Sequence, residues 1–193
     1  MGWSMGVNTM FELASRHPER VHGLFAVAGV PGGTFATMLG PLRLPHVVAE
    51  TIAVSAARLL HHGGRALTPI ARRLPVHPWT ISALTRTGFM FPVPDRKRAA
   101  VAVQEFLQTP VDWYFHLALR TSGQARVRLG QVTVPACFVA GRWDILSGAR
   151  DMRTAAERMD DATYVELNAS HFVQMEQPEQ VHELLLEFLE RVG

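Results

Sequence analysis

Gly2-Trp3-Ser4-Met5-Gly6-Val7-Asn8 stands at the front of this chain, and its reading decides the rest. The spacing G-x-S-x-G fits a sharp turn from strand to helix that lifts a serine hydroxyl clear of the backbone. Glycines two before and two after the serine remove Cβ atoms that would collide where chain segments cross closely. Alone the pentapeptide is a weak signal, so its weight depends on what lies downstream. Directly after it, Val7 to Arg16 has the pattern of a helix ended by His17-Pro18. Such a helix points its N-terminus at Ser4, where its dipole favours developing negative charge.

Three apolar runs follow. Gly23 to Val30 is continuous, as expected of a strand covered on both faces in a parallel sheet. Ala136 to Ala140 follows Pro135, and Thr163 to Leu167 alternates before ending at Asn168-Ala169-Ser170. Between and after them lie helical patterns. Gly148 to Met159 puts Ala149, Met152, Ala156 and Met159 on one face. Pro178 to Val192 carries a stripe of Val181, Leu184, Leu185, Phe188 and Val192. Strand, helix, strand, helix predicts an α/β fold with right-handed crossovers.

The stretch from Pro31 to about Gly130 is different. It is rich in Pro, Gly and Arg, and its helical patterns cover Val47 to His61, Arg96 to Gln108 and Val111 to Thr121. Asp95 reads as the N-cap of the second, with Val103, Phe106 and Leu107 as its apolar face. No strand pattern returns until Val134. The organisation is therefore a core segment over residues 1–30, a helical lid over 31–130, and a second core segment over 131–193.

Composition narrows the function classes. The 193 residues are 48% hydrophobic and 19% charged, which is globular rather than disordered. A formal charge of +2 is too small to imply nucleic acid. The single cysteine, Cys137, excludes an internal disulfide framework and sits in an apolar run, as a buried inert thiol does. No secretory signal is visible, and the most apolar later segment, Val47 to Leu60, is broken by Glu50 and Arg58. The expectation is a cytoplasmic protein without membrane contact. His61-His62 has no ligand-type partner at metal spacing, and Pro31-Gly32-Gly33 lacks the lysine of a phosphate loop. Neither a metal nor another cofactor is expected.

Chemistry concentrates in three places. A serine hydroxyl is a poor nucleophile at neutral pH and needs a base, which needs an orienting acid. Gly141-Arg142-Trp143-Asp144 follows the second apolar strand directly, and Ser170-His171-Phe172 follows the third. Most of the interval from Ser4 to Asp144 is lid. The 27 residues from Asp144 to His171 suffice for one helix and one strand. Asp160 and Asp161 are alternatives for the acid if the strand ends lie elsewhere.

The elbow with its helix, the Val139-to-Asp144 turn, and Ser170-His171-Phe172 with Glu176-Gln177-Pro178-Glu179 together resemble the C-terminal two-thirds of an α/β-hydrolase. The resemblance covers the chain except for the lid. It implies a partial α/β-hydrolase fold with three C-terminal parallel strands, flanking helices and a lid insertion. Carried over by position, Ser4 is the nucleophile, His171 the general base and acid, and Asp144 the orienting carboxylate. The backbone N–H of Met5 supplies half of an oxyanion hole, while Gly2, Trp3 and Gly6 shape the elbow. Trp143 and Phe172 are the expected substrate contacts. The same resemblance implies roughly ninety to a hundred residues before the elbow, carrying the other half of the sheet and the second oxyanion N–H. Their absence here reads as a truncation, and it would leave Gly23 to Val30 as an exposed apolar edge.

The activity implied is a cofactor-independent serine hydrolase acting on an ester or related small acyl compound through an acyl-enzyme. A serine argues against dehalogenases and epoxide hydrolases of the same fold, which use aspartate. Carbon–carbon bond hydrolases, cofactor-free haloperoxidase-like enzymes and acyltransferases share the serine triad and stay open. So do a non-catalytic binding protein on this scaffold and an enzyme assembled with a separate chain carrying the front half. Phe35, Leu39, Leu42, Phe89, Met90 and Phe91 suggest an apolar acyl pocket, or equally a core for the lid.

Overall fold

Buried apolar runs must pair their backbone groups with one another, and here they do so in chain order. The computed structural model describes residues 1–33, 35, 38, 45–122 and 128–193. Leu39 and Leu42, and parts of the expected lid, lie outside the described residues. Four parallel strands form one sheet: β1 (Gly2–Trp3), β2 (Leu24–Val27), β3 (Ala136–Gly141) and β4 (Ala162–Leu167). Helix α1 (Met5–Arg16) joins β1 to β2, and α6 (Ala149–Ala156) joins β3 to β4. Between β2 and β3 lie α2 (His46–Arg73), α3 (Pro78–Arg86), α4 (Arg96–Leu107) and α5 (Val111–Ser122). The short α7 (Val173–Glu176) and the long α8 (Pro178–Val192) follow β4.

The three expected strands are present, and β1 is a fourth. Gly2 pairs with Ala26 and Trp3 with Val27. This corrects the expectation for Gly23 to Val30: β2 is an interior strand with all four residues buried, not an exposed edge. It is also shorter than its apolar run, because the chain turns at Ala28, whose φ is 45°. On the far side β4, an outer strand, has no fully buried residue: Thr163 and Glu166 are exposed and the others half-buried.

Alternation through the sheet splits the core into two layers. Leu24, Ala26, Ala136, Phe138 and Ala140 join Val7 and Phe11 of α1 and Met152 of α6 in one cluster. Phe25, Val27, Cys137 and Val139 face the other way, onto Val173, Val181 and Phe188. The predicted faces of α6 and α8 lie in these two layers.

Tertiary packing overrides local propensity in the insertion. Gly63-Gly64 and Pro69 are poor helix residues, yet α2 runs through them to Arg73, well past His61. A Cβ on Gly64 would lie 2.3 Å from the Asp112 nitrogen, so the glycine lets α5 approach. Thr68 Oγ1 donates to the Gly64 carbonyl and accepts from Val111 N–H, tying the start of α5 to α2. Asp95 caps α4 as expected, accepting from Lys97 and Arg98 N–H at 3.0 Å each. The buried face of α4 differs from expectation: Ala99 and Ala100 are buried, while Phe106 is exposed to solvent over half its surface. Small side chains let this helix lie close to Ile81 and Met90. Among the described residues, no helix is long and apolar enough to cross a membrane.

Candidate active site

The C-terminal ends of parallel strands leave unfilled backbone space where loops converge. Ser4 follows β1, Asp144 lies in the turn after β3, and His171 lies in the loop after β4. Ser4 Oγ is 2.9 Å from His171 Nε2, and His171 Nδ1 is 2.8 Å from Asp144 Oδ2. The three residues are thus in line. Asp161, one of the alternative acids, instead pairs with Arg191.

Each member is held by local geometry. Ser4 has φ 53° and ψ −123°, a strained backbone that turns strand into helix and projects the side chain. Its N–H donates to the Val27 carbonyl, and its own carbonyl accepts from Val7 N–H. A Cβ on Gly2 would come within 2.7 Å of the Gly6 carbonyl oxygen, so that glycine is sterically required. A Cβ on Gly6 would meet nothing within 4 Å, which corrects the sequence argument for the second glycine. Unexpectedly, Gly29 is the other required residue: its Cβ would sit 2.5 Å from the Ser4 carbonyl.

Asp144 is fully buried. Its Oδ1 accepts the N–H groups of Leu146 and Ser147 at 2.8 Å each, and Oδ2 faces the imidazole. A buried carboxylate survives only with such partners. Gly141 makes this turn compatible with the histidine loop, because a Cβ there would lie 2.0 Å from the Ser170 carbonyl oxygen. Trp143 N–H and Arg142 N–H donate across to Ala169 and Leu167 carbonyls, stitching the two loops together.

His171 is buried and tied from both sides. Trp3 Nε1 donates to the His171 carbonyl at 3.0 Å, with the two rings 5.4 Å apart. Glu176, in α7, accepts Ser170 N–H on Oε2 at 2.6 Å. Its Oε1 accepts Ser170 Oγ–H at 2.5 Å and Phe91 N–H at 2.7 Å. One buried carboxylate therefore joins the histidine loop to the α3–α4 connection. Sequence reading noted Glu176 only within a terminal motif. A carboxylate five residues beyond the histidine, one turn into the following helix, was the available signal.

Met5, in the first turn of α1, has no intrahelical carbonyl for its N–H to reach. Ser4 and Met5 line a cavity of about 370 Å³, roofed by α2, α4 and α5. Phe35 and Phe89 line it too, whereas Met90 is fully buried in the core of the insertion. The two expected substrate contacts lie elsewhere. Trp143 is half exposed and donates from Nε1 to Asn168 Oδ1, and it does not line this cavity. Phe172 packs between Trp3 and Phe89, beside the cavity rather than in its wall. Among the described residues, no three His, Cys, Asp or Glu side chains are placed to hold a metal.

No sequence-family model and no curated protein sequence matches this chain. Solved structures do. It is similar to a thermophilic esterase from Thermogutta terrifontis, with TM-score 0.61 and 19% identity over 99% of this chain and 64% of that one. It is similar to the enol-lactonase from Burkholderia xenovorans LB400, with TM-score 0.59 and 20% identity over 98% of this chain and 64% of that one. The 2-hydroxy-6-oxo-6-phenylhexa-2,4-dienoate hydrolase from Rhodococcus sp. strain RHA1 gives TM-score 0.59 and 19% identity over 98% and 62%. The chain thus spans less than two thirds of the length of these proteins. Its fold is the α/β-hydrolase fold, in part.

Proposed function

We propose that this chain, with its partial α/β-hydrolase fold, is the catalytic portion of a serine hydrolase that cleaves a small acyl compound, an ester in the first instance. The observation that carries the reading is the line from Ser4 Oγ through His171 to Asp144, with contacts of 2.9 and 2.8 Å. Ser4 Oγ attacks the acyl carbonyl while His171 Nε2 takes its proton. Asp144, itself held by two backbone donors, keeps the imidazole oriented and stabilises its protonated form. Negative charge on the tetrahedral oxygen falls beside the first turn of α1, where Met5 N–H is a donor and the helix dipole adds to the field. His171 then returns the proton to the leaving alcohol, and a water activated the same way releases the acid. The helices of the insertion act as the lid that shapes the acyl pocket, and Trp3 holds the histidine loop against the elbow.

A fluorophosphonate probe tests this. Ser4 Oγ should form a bond to the probe's phosphorus as the P–F bond breaks and fluoride leaves, so that the folded protein carries the phosphonyl group on Ser4, and Ser4→Ala should abolish labelling. Folded protein that leaves Ser4 unlabelled overturns the reading.

A further inference from the structure

An exposed apolar side chain is ordinary when it stands singly, but a continuous row of them on one helix face marks an interaction surface. Helix α2 and its cap carry such a row. Val48, Ile52, Leu59, Leu67, Ile70 and Leu74 recur at helical spacing and are all exposed, Leu59 at 73% and Ile70 at 60%. Ala56 and Ala66 are exposed in the same stripe, which at 1.5 Å per residue runs about 40 Å. The opposite face, with Ala49, Ala57 and Thr68, is buried.

Charge is arranged beside the stripe rather than in it. Arg58, Arg65 and Arg73 are exposed on one side of it. Arg65 keeps 92% of its side chain in solvent while standing 3.7 Å from Asp112. Glu50, the one acidic residue of α2, lies on the far side of the helix from the stripe. The stripe also runs into the mouth of the cavity beside Ser4. Ile52 and Ala56 belong to both, and Phe89 and Phe106, exposed themselves, line the same cavity.

Shape and charge together select what covers this face. A second copy would bring no acid to the arginines, and an antiparallel pair of α2 helices would set arginine row against arginine row. A flat lipid surface meets the whole row at once. The apolar side chains sink to the level of the acyl chains, and the arginines beside them reach the phosphate groups. Glu50 and Arg58, which break Val47 to Leu60 as a span, both lie off the stripe, so the same charges leave the helix free to lie flat. The sequence expectation of no membrane contact rested on the lack of a span, and a flat-lying helix needs none.

We propose that the outward face of α2 docks on an anionic lipid bilayer, lying in the headgroup layer with the cavity mouth turned toward the lipid. The docking does not depend on the hydrolase reading. Its consequence, that an apolar acyl substrate enters the cavity from the lipid phase, rests on that reading.

Co-sedimentation of the whole chain with vesicles tests the docking. Phosphatidylcholine vesicles containing about 30% phosphatidylglycerol should carry the protein down, and pure phosphatidylcholine should bind it at least tenfold more weakly. Leu59→Gln with Ile70→Gln should weaken binding to the anionic vesicles more than tenfold, through the loss of two apolar side chains from the lipid. Arg58→Gln with Arg73→Gln should weaken it by about fivefold for each arginine. All four side chains are exposed, so circular dichroism should show parent-like folding in both variants. Protein that stays in solution with the anionic vesicles overturns the proposal and leaves the stripe to a protein partner. Parent-like binding by Leu59→Gln with Ile70→Gln also overturns it, since the arginines alone would then account for the attraction. So does a dimer in light scattering that the same two substitutions dissolve, because a second copy would then occupy the face. Binding is read without turnover. An unlabelled Ser4 with intact vesicle binding therefore removes the hydrolase reading and the substrate route, and leaves the docking standing.

Discussion

Replacing Glu176 with glutamine tests how the histidine loop is held, whatever the chain acts upon. Three donors converge on the two carboxylate oxygens: Phe91 N–H and Ser170 Oγ–H on Oε1, and Ser170 N–H on Oε2. Glutamine offers one oxygen and one NH2. With its oxygen at the Oε1 position it keeps two donors satisfied and turns NH2 toward Ser170 N–H. The opposite orientation strands two donors and is worse. One buried N–H is then unsatisfied, costing roughly 1–3 kcal/mol, and two remaining bonds lose their charge assistance. Loss of the buried charge recovers some desolvation energy, since Glu176 is 4% exposed. The net is about 2 kcal/mol, or about 4–8 °C in the thermal midpoint for a chain of this size. Glu176→Ala strands all three donors and should cost about twice as much. Circular dichroism melts measure both, and amide exchange at Phe91 and Ser170 should quicken in each variant. A midpoint for Glu176→Gln within 1 °C of the parent, with unchanged exchange, would refute the account of this carboxylate as the tie between loop and insertion.

Three further perturbations have definite signs. Asp144→Asn must keep an oxygen toward Leu146 and Ser147 N–H, so its NH2 faces His171 Nδ1 and forces the ring proton onto Nε2. Fluorophosphonate labelling of Ser4 should slow by roughly 10³–10⁴, and a rate within tenfold of the parent would count against the proposed relay. Gly141→Ala drives a Cβ into the Ser170 and Ala169 carbonyls, both backbone. It should destabilise the protein by about 2–3 kcal/mol in urea unfolding, and an unchanged midpoint would show that the loops separate freely. Burial holds the Cys137 thiol above its ordinary value, so the unfolded chain loses that proton first. Stability from this group is therefore complete below about pH 9 and declines as pH rises beyond it. The urea midpoint of the parent should fall more than that of Cys137→Ala between pH 8 and 10, and parallel curves would refute the linkage.

The order of elements, the two-sided burial of β2 and β3 and the helical stripes of α6 and α8 were legible in the sequence. Each is a local consequence of side-chain period and of the need to pair backbone groups. Ser4, Asp144 and His171 were legible for a related reason: strand ends in a parallel sheet can be counted, and chemistry placed just after them converges at one edge. What stayed hidden depends on atoms distant in sequence. Gly29 is constrained by the Ser4 carbonyl and Gly64 by Asp112, while Gly6, placed by motif, is constrained by nothing within 4 Å. The same holds for the pocket, whose wall takes Ile145 and Leu146 from this loop and not the expected Trp143, because the direction of a loop side chain follows from the turn that Asp144 organises. Periodicity and motif spacing thus determine which residues reach the site. Only the tertiary structure decides which hydroxyls and carboxylates find partners there, because hydrogen-bond satisfaction is a property of three-dimensional neighbours and leaves no period in the chain.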